Sequence, residues 1–220
     1  MLKELKVNEV FYSIQGEGAS AGRPVLFVRL SGCNLKCSFC DTPYHVEGHE
    51  PTWEERELMK KHKHWVITGG EPLLQQEALT EYIATYEPYF VEVETNGTMK
   101  PSKELLMKVN RYNVSPKEMR VQPKAMKEGF TDPKLLAVPE ASDRIIKFVY
   151  KDKKSEEFIE KIVKTKKYKI RPQEVWIMPE GKTRAGQEKA QKKVWEYCVK
   201  KGYNFSARLQ VQVFDTKRGV

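Results

Sequence analysis

The chain has 220 residues, 40% apolar and 31% charged, with four Cys and a formal net charge of +9. A chain of this size buries an adequate core without disulfide staples, and its composition excludes a disordered or fibrous protein. No apolar run approaches the ~18 residues of a membrane-spanning helix, and Met1-Leu2-Lys3-Glu4-Leu5-Lys6 lacks a signal peptide's apolar stretch, so a cytoplasmic protein with no membrane partner is expected.

Strand-like and helix-like segments then alternate along the chain. Val7 to Ile14 and Pro24 to Leu30 predict strands, the second with Val25, Phe27 and Arg29 on one face and Leu26, Val28 and Leu30 on the other. Residues 31–50 form a loop rich in Gly, Cys, Pro and His. A helix is predicted over Thr52 to His62, where Thr52 as N-cap and Glu55 three residues on spell a capping box. Strand Trp65 to Thr68 runs into Gly69-Gly70-Glu71-Pro72, helix Gln75 to Tyr86 follows, and strand Tyr89 to Glu94 leads into Thr95-Asn96-Gly97-Thr98. Next come helix Ser102 to Val109, strand Arg111 to Ser115, an irregular stretch over 116–144, and strand Ile145 to Tyr150. Helix Ser155 to Thr165, strand Glu174 to Met178, helix Gln187 to Lys201 and a final strand Phe205 to Phe214 complete the series.

Strands joined by single helices imply a parallel sheet, with the loops that follow the strands gathered on one ligand-binding rim. An open barrel and a doubly wound sheet both satisfy this pattern. The charge excess is local, since residues 147–201 hold 17 Lys and Arg against eight Asp and Glu. Only Arg171 and Arg184 in that stretch are arginines, and Lys-rich helices with interleaved Glu favour solvated faces over a nucleic-acid surface.

Three of the four cysteines, Cys33, Cys37 and Cys40, are spaced C-x3-C-x2-C. In a reducing compartment that spacing points to metal ligation. Three thiolates can hold three irons of a 4Fe-4S cube and leave the fourth open to a substrate. A Cys3His zinc site remains a competing reading, because His45 and His49 follow closely. Cys198 falls on the Ala190, Val194, Cys198 stripe of its helix and reads as a buried apolar residue.

The cysteine loop, with Phe39 before the third Cys and Gly69-Gly70-Glu71-Pro72 a crossover later, resembles the radical S-adenosylmethionine (SAM) superfamily. Within it the chain resembles the 7-carboxy-7-deazaguanine synthase family of the queuosine and archaeosine pathway. The residues carrying that likeness are Phe11 to Gly18, Phe27-Val28-Arg29, Gly32 to Cys37, Phe39 to Thr42, Glu94 to Gly97, Ser115-Pro116-Lys117 and Lys217 to Val220.

The resemblance implies an α/β fold, a partial barrel of about six strand-helix units forming one radical SAM domain over 1–220 and acting as a homodimer. It implies a lyase using a 4Fe-4S cluster, SAM and Mg2+ with an external one-electron reductant. The implied substrate is 6-carboxy-5,6,7,8-tetrahydropterin, converted to 7-carboxy-7-deazaguanine with loss of ammonia after hydrogen abstraction from C6.

Carried over residue by residue, the likeness gives Cys33, Cys37 and Cys40 to the cluster and Thr42 to magnesium. It gives Phe39, Gly69, Gly70, Glu71, Gly97, Ser115, Lys117, Met178, Pro179, Glu180 and Gly181 to SAM. The substrate would meet Ile14, Gln15, Gly16, Glu17, Arg29, Thr95 and the terminal carboxylate of Val220. An internal arginine such as Arg29 alternatively needs an acidic partner. The chain departs from the family pattern at Gln210, where some relatives place histidine, and at Met178, where some have glutamine. Two other functions stay open at this stage: an activase that makes a glycyl radical in a partner protein, and a zinc-stabilised RNA-binding module.

Overall fold

The computed structural model describes residues 2–38, 40, 42, 47–118, 132–138, 143–217 and 219. Phe39, His45 and Val220, and most of the irregular 116–144 stretch, lie outside them. The strands are β1 (Val7–Ile14), β2 (Pro24–Leu30), β3 (His64–Gly69), β4 (Phe90–Thr95), β5 (Arg111–Val114), β6 (Arg144–Tyr150), β7 (Val175–Pro179) and β8 (Asn204–Phe205). They form one sheet in chain order, with β1 antiparallel to β2 and every later neighbour parallel. Crossovers of one hand between successive parallel strands curl such a sheet toward a barrel, and here β1 and β8 stay as its two edges. The fold is the expected partial barrel.

The helices are α1 (Trp53–Lys61), α2 (Gln76–Tyr86), α3 (Lys103–Leu106), α4 (Lys153–Val163), α5 (Arg184–Lys201) and α6 (Leu209–Phe214). Thr52 caps α1 in the anticipated box, its hydroxyl accepting from Glu55 N while Glu55 Oε2 accepts from Thr52 N. Thr52→Ala is expected to cost about 1 kcal/mol and to lower Tm by about 3 °C in a thermal melt. An unchanged Tm would show that the box contributes nothing. Asp152 and Thr183 cap α4 and α5 by the same chemistry, and Gly202 ends α5 in a left-handed turn.

Strand alternation sorts the side chains into two environments. Leu26, Val28, Trp65, Ile67, Val91, Val93, Ile146 and Phe148 share the core with Met59, Leu79 and Ile159 of the helices, all buried. Each such side chain contributes roughly 1.5–3 kcal/mol on leaving water. The residues between them on the strands, Arg29, Thr68, Glu94, Asn113 and Lys147, are polar and line a cavity within the barrel. Below that cavity Glu92 is fully buried, accepting from Ser20 Oγ (2.5 Å) and Asn113 Nδ2 (2.8 Å). Burial raises the Glu92 carboxyl's pKa, while those donors and Arg111 oppose the shift.

The last predicted strand is a correction. Only Asn204 and Phe205 extend the sheet, and Leu209–Phe214 is the helix α6. Its Leu-x-Val-x-Val alternation imitates a strand, yet within the helix only Val211 is buried. The segment is held by contacts with a distant loop: Leu209 N donates to Gly16 O (3.0 Å), and Arg208 and Gln210 both bond Glu17. Helix α3 is also shorter than its pattern predicts, covering four residues between the Ser102 cap and Met107.

Candidate active site

The parallel strands β2 to β7 end on one rim, and the segments that follow them shape a single cavity of about 970 Å³. Cys33, Cys37 and Cys40 stand half-buried on its wall, none of them in a disulfide. Their loop turns through a Cys40 N to Cys37 O bond (3.1 Å) and is tied to the segment after β4, where Asn34 donates to Thr98 Oγ1 and accepts from Asn96 Nδ2. Lys182, just beyond β7, donates to Cys40 O (2.9 Å) from the opposite side. Burial pushes the Cys33 thiol up to about 11, only partly countered by the Leu35 amide and reinforced by Glu71 and the two other cysteines. A thiolate-bound metal would supply positive charge that favours the thiolate here.

Gly69 and Gly70 end β3 against this loop. Gly69 has φ +126°, and an added Cβ would run into the backbone of Leu30. A Cβ on Gly70 would overlap the Gly32 carbonyl, whose oxygen also accepts from Glu71 N (2.9 Å). Gly70→Ala is therefore expected to cost about 3 kcal/mol and to displace the cysteine loop. A thermal melt and an iron assay equal to those of the parent protein would show the loop is not packed on Gly70.

Glu71 is fully buried and takes no part in the cavity wall. Its Oε1 accepts from Thr95 Oγ1 (2.7 Å) and Leu73 N (3.0 Å), and Oε2 accepts from Asn96 N (2.8 Å). Burial raises its pKa against the pull of these donors. Glu71 thus rivets the segment after β3 to the one after β4. The Thr95 hydroxyl is spent on the same rivet, donating to Glu71 and accepting from Gly97 N (3.1 Å).

Deeper in the barrel the cavity is lined by charge. Glu17 Oε2 accepts from Lys147 Nζ (2.6 Å), and Oε1 accepts from Arg208 Nε and Gln210 Nε2 (both 2.8 Å). Burial alone would raise the Glu17 carboxyl, but Lys147 and Arg208 overcome it and hold the group well below the usual carboxylate range. Burial likewise disfavours the Lys147 cation, and Glu17 and Glu94 reverse that and raise its pKa. Glu94 accepts from Thr68 Oγ1 (2.9 Å) and Gln15 Nε2 (3.3 Å) and lies 3.7 Å from Lys147 Nζ. Near the cysteines, Arg29 Nε donates to Glu9 Oε1 (2.7 Å) and Nη1 to Thr42 Oγ1 (3.4 Å), so this internal arginine does have an acidic partner.

Of the residues singled out from sequence, Ile14, Gln15, Gly16, Glu17, Arg29, Thr42, Gly69, Gly70, Thr95, Ser115, Lys117 and Met178 to Gly181 all line this cavity with the three cysteines. Lys117 Nζ donates to Ser115 Oγ (2.7 Å). Glu71 and Gly97 sit behind the wall, and Asn96 takes the rim position beside them. Phe39 and Val220 are outside the described residues, although Lys217 and Gly219 reach the cavity. Sequence reasoning missed Glu94, Asn113, Lys147 and Arg208. The available signal was a lone polar residue in an apolar strand: Lys147 interrupts Ile145-Ile146 and Phe148-Val149, and strand alternation turns it inward.

Residues 27–180 match the radical SAM superfamily. The 7-carboxy-7-deazaguanine synthase of Pyrobaculum aerophilum is 33% identical over 98% of this chain and 97% of its own length. The chain belongs to the 7-carboxy-7-deazaguanine synthase family. The Halobacterium salinarum synthase is 34% identical over 96% of this chain and 91% of its own. A crystal structure of QueE from Escherichia coli superposes with a TM-score of 0.68, covering 92% of this chain and 93% of that one at 22% identity, a likeness of fold.

Radical SAM enzymes use a 4Fe-4S cluster and SAM, and the donor set fits them. Three soft thiols on one loop, facing a cavity with room beside them, suit iron-sulfur ligation. Among the described residues no three His, Cys, Asp or Glu side chains converge on one point, and His45 of the zinc reading lies outside them. Among them, too, no helix is long and apolar enough to cross a membrane.

Proposed function

We propose that this synthase converts 6-carboxy-5,6,7,8-tetrahydropterin to 7-carboxy-7-deazaguanine with loss of ammonia, through the residues that line its one large described cavity. The observation that carries the reading is continuity: a single wall runs from the three thiols to the Glu17, Glu94 and Lys147 cluster. When bound, the cluster and SAM supply one-electron chemistry and hydrogen-atom abstraction. Cys33, Cys37 and Cys40 would hold the cluster, with Gly69, Gly70, Ser115, Lys117 and the Met178 to Gly181 segment around the cofactor.

For the pterin ring, an aminopyrimidinone offers adjacent N–H donors beside a carbonyl acceptor. A carboxylate next to an ammonium is the complement, and Glu94 and Lys147 present that pair. Glu17 acts from behind, its two oxygens already taken by Lys147, Arg208 and Gln210. Arg29, oriented by Glu9, receives the substrate carboxylate.

Thr42 offers magnesium one hard oxygen beside a guanidinium that repels a cation. The site therefore holds the ion only when the substrate's carboxylate sits between them and water completes the shell. Lys217 and Gly219 line the same cavity. The clustered cysteines support a reducing, cytoplasmic setting. Trp195 and Val199, exposed one turn apart on α5, give a homodimer apolar surface to use. The basic third carries Glu160 paired with both Lys164 and Lys201, which supports a solvated surface over a nucleic-acid site.

The test is product identification. Protein reconstituted without oxygen, given the carboxypterin, SAM, magnesium and a one-electron reductant, is expected to form a deazapurine acid with the product's mass. SAM cleavage without any deazapurine would reject this substrate and leave a partner-protein substrate in its place.

A further inference from the structure

The segment from Ser206 to Asp215 touches two parts of the cavity that no sequence neighbour connects. On one side it holds the loop after β1: Ser206 Oγ accepts from Gly18 N (2.9 Å), and Leu209 N donates to Gly16 O (3.0 Å). On the other it meets the start of α5, where Arg184 N donates to Asp215 Oδ1 (2.9 Å) and Arg184 Nη2 to Val213 O (3.0 Å). Arg208 joins both sides with one side chain. Its Nε donates to Glu17 Oε1 (2.8 Å), and its Nη1 donates to Gly181 O (3.1 Å). It is buried and forms part of the cavity wall.

The Gly181 end is itself tied to the cysteine loop. Gln187 Nε2 donates to Gly181 O (2.7 Å) and Pro179 O (2.9 Å), and the next residue along, Lys182, reaches Cys40 O. A planar guanidinium transmits position better than an ammonium, because its donors keep a fixed angle to one another.

We propose that Arg208 is a positioning residue that couples pterin binding to SAM binding. The inference rests on the assignment of the pterin to the Glu17 side and of SAM to the Gly181 side. A pterin seated against Glu94 and Lys147 draws donors of Lys147 away from Glu17, and Glu17 then bonds Arg208 more closely. The Arg208 fork fixes the Gly181 carbonyl in turn, and the SAM wall is set before the cofactor arrives. Linkage makes the effect mutual: the factor by which pterin tightens SAM equals the factor by which SAM tightens pterin.

The test measures SAM affinity by equilibrium dialysis on oxygen-free reconstituted protein with its cluster left unreduced, so that no turnover occurs, with and without saturating carboxypterin. Unsubstituted protein is expected to bind SAM about tenfold more tightly with the pterin present, within the usual range for coupled sites. In Arg208→Gln and Arg208→Lys that ratio is expected to fall to about one, whatever SAM affinity each variant keeps without pterin. Arg208→Lys keeps a positive charge beside Glu17 and decides the matter if Arg208→Gln does not take up its cluster. A ratio in Arg208→Lys equal to that of the unsubstituted protein, or a ratio of one in the unsubstituted protein, overturns the coupling. Unsubstituted protein that forms no deazapurine on reduction overturns the site assignment as well; product formed by protein lacking the coupling overturns the inference alone.

Discussion

Cys37→Ala is expected to form no detectable deazapurine product and to lose most of its iron and sulfide, while its thermal melt moves by only a few degrees. The asymmetry follows from where the residue sits. Cys37 is half-buried on a cavity wall and fills no part of the core, so truncation removes little packing. On the proposed ligand set it is one of three thiols for four irons and has no substitute, because the fourth iron would be left to the cofactor. Cys198→Ala supplies the contrast. That thiol is buried in the core, and its Sγ donates weakly to Asn204 O (3.5 Å). Its loss should cost about 1 kcal/mol of stability and leave iron content unchanged. Iron, sulfide and Tm measured together separate the two roles. Full iron in Cys37→Ala would remove that cysteine from the ligand set.

Glu17→Ala is expected to be the most destabilising single change in the cavity, costing about 3–5 kcal/mol. It leaves the Lys147 and Arg208 cations inside the barrel with only Glu94, 3.7 Å from Lys147, to balance them. Against a total stability of roughly 5–15 kcal/mol, that loss should be plain in a denaturant titration. Glu17→Gln keeps the shape and one acceptor and should lose less.

The pH dependence follows from the two shifts. The Glu17 carboxyl is held below its ordinary 4.5 in the folded state, so its stabilisation is present above 4.5 and is lost as pH falls through the lower folded value. The Lys147 ammonium is held above its ordinary 10.5, so its stabilisation is present below 10.5 and is lost as pH rises through the higher folded value. The stability difference between the parent protein and Glu17→Gln should therefore be flat between about pH 5 and pH 10 and should shrink only in strong acid or base. A difference that changes through neutrality would show that another group controls the pair.

Much of this site could be read before folding. Cys33, Cys37 and Cys40 are local in sequence, and so is the Gly69-Gly70 pair, where small residues are required because the cysteine loop's backbone presses on them. The strands were legible because apolar runs of the right length fill a sheet covered by helices, and the Thr52 and Glu55 box marked a helix start to the residue. The alternating order of strands and helices also carried the parallel sheet, since parallel neighbours need a crossover.

What only the tertiary structure decided is which distant groups share a charge. Glu17 meets Lys147 and Arg208 across 130 and 191 residues of chain, and no local pattern encodes such a pairing. It bonds Thr95 to Glu71, joining neighbouring loops through two residues that the resemblance assigns to ligands. It also made Leu209–Phe214 a helix against an alternation that predicts a strand, because the bonds to Gly16 and Glu17 outweigh a six-residue preference. Local chemistry sets which conformations a short segment can adopt at little cost; burial and long-range pairing choose among them, since both act only once the chain has closed around the cavity.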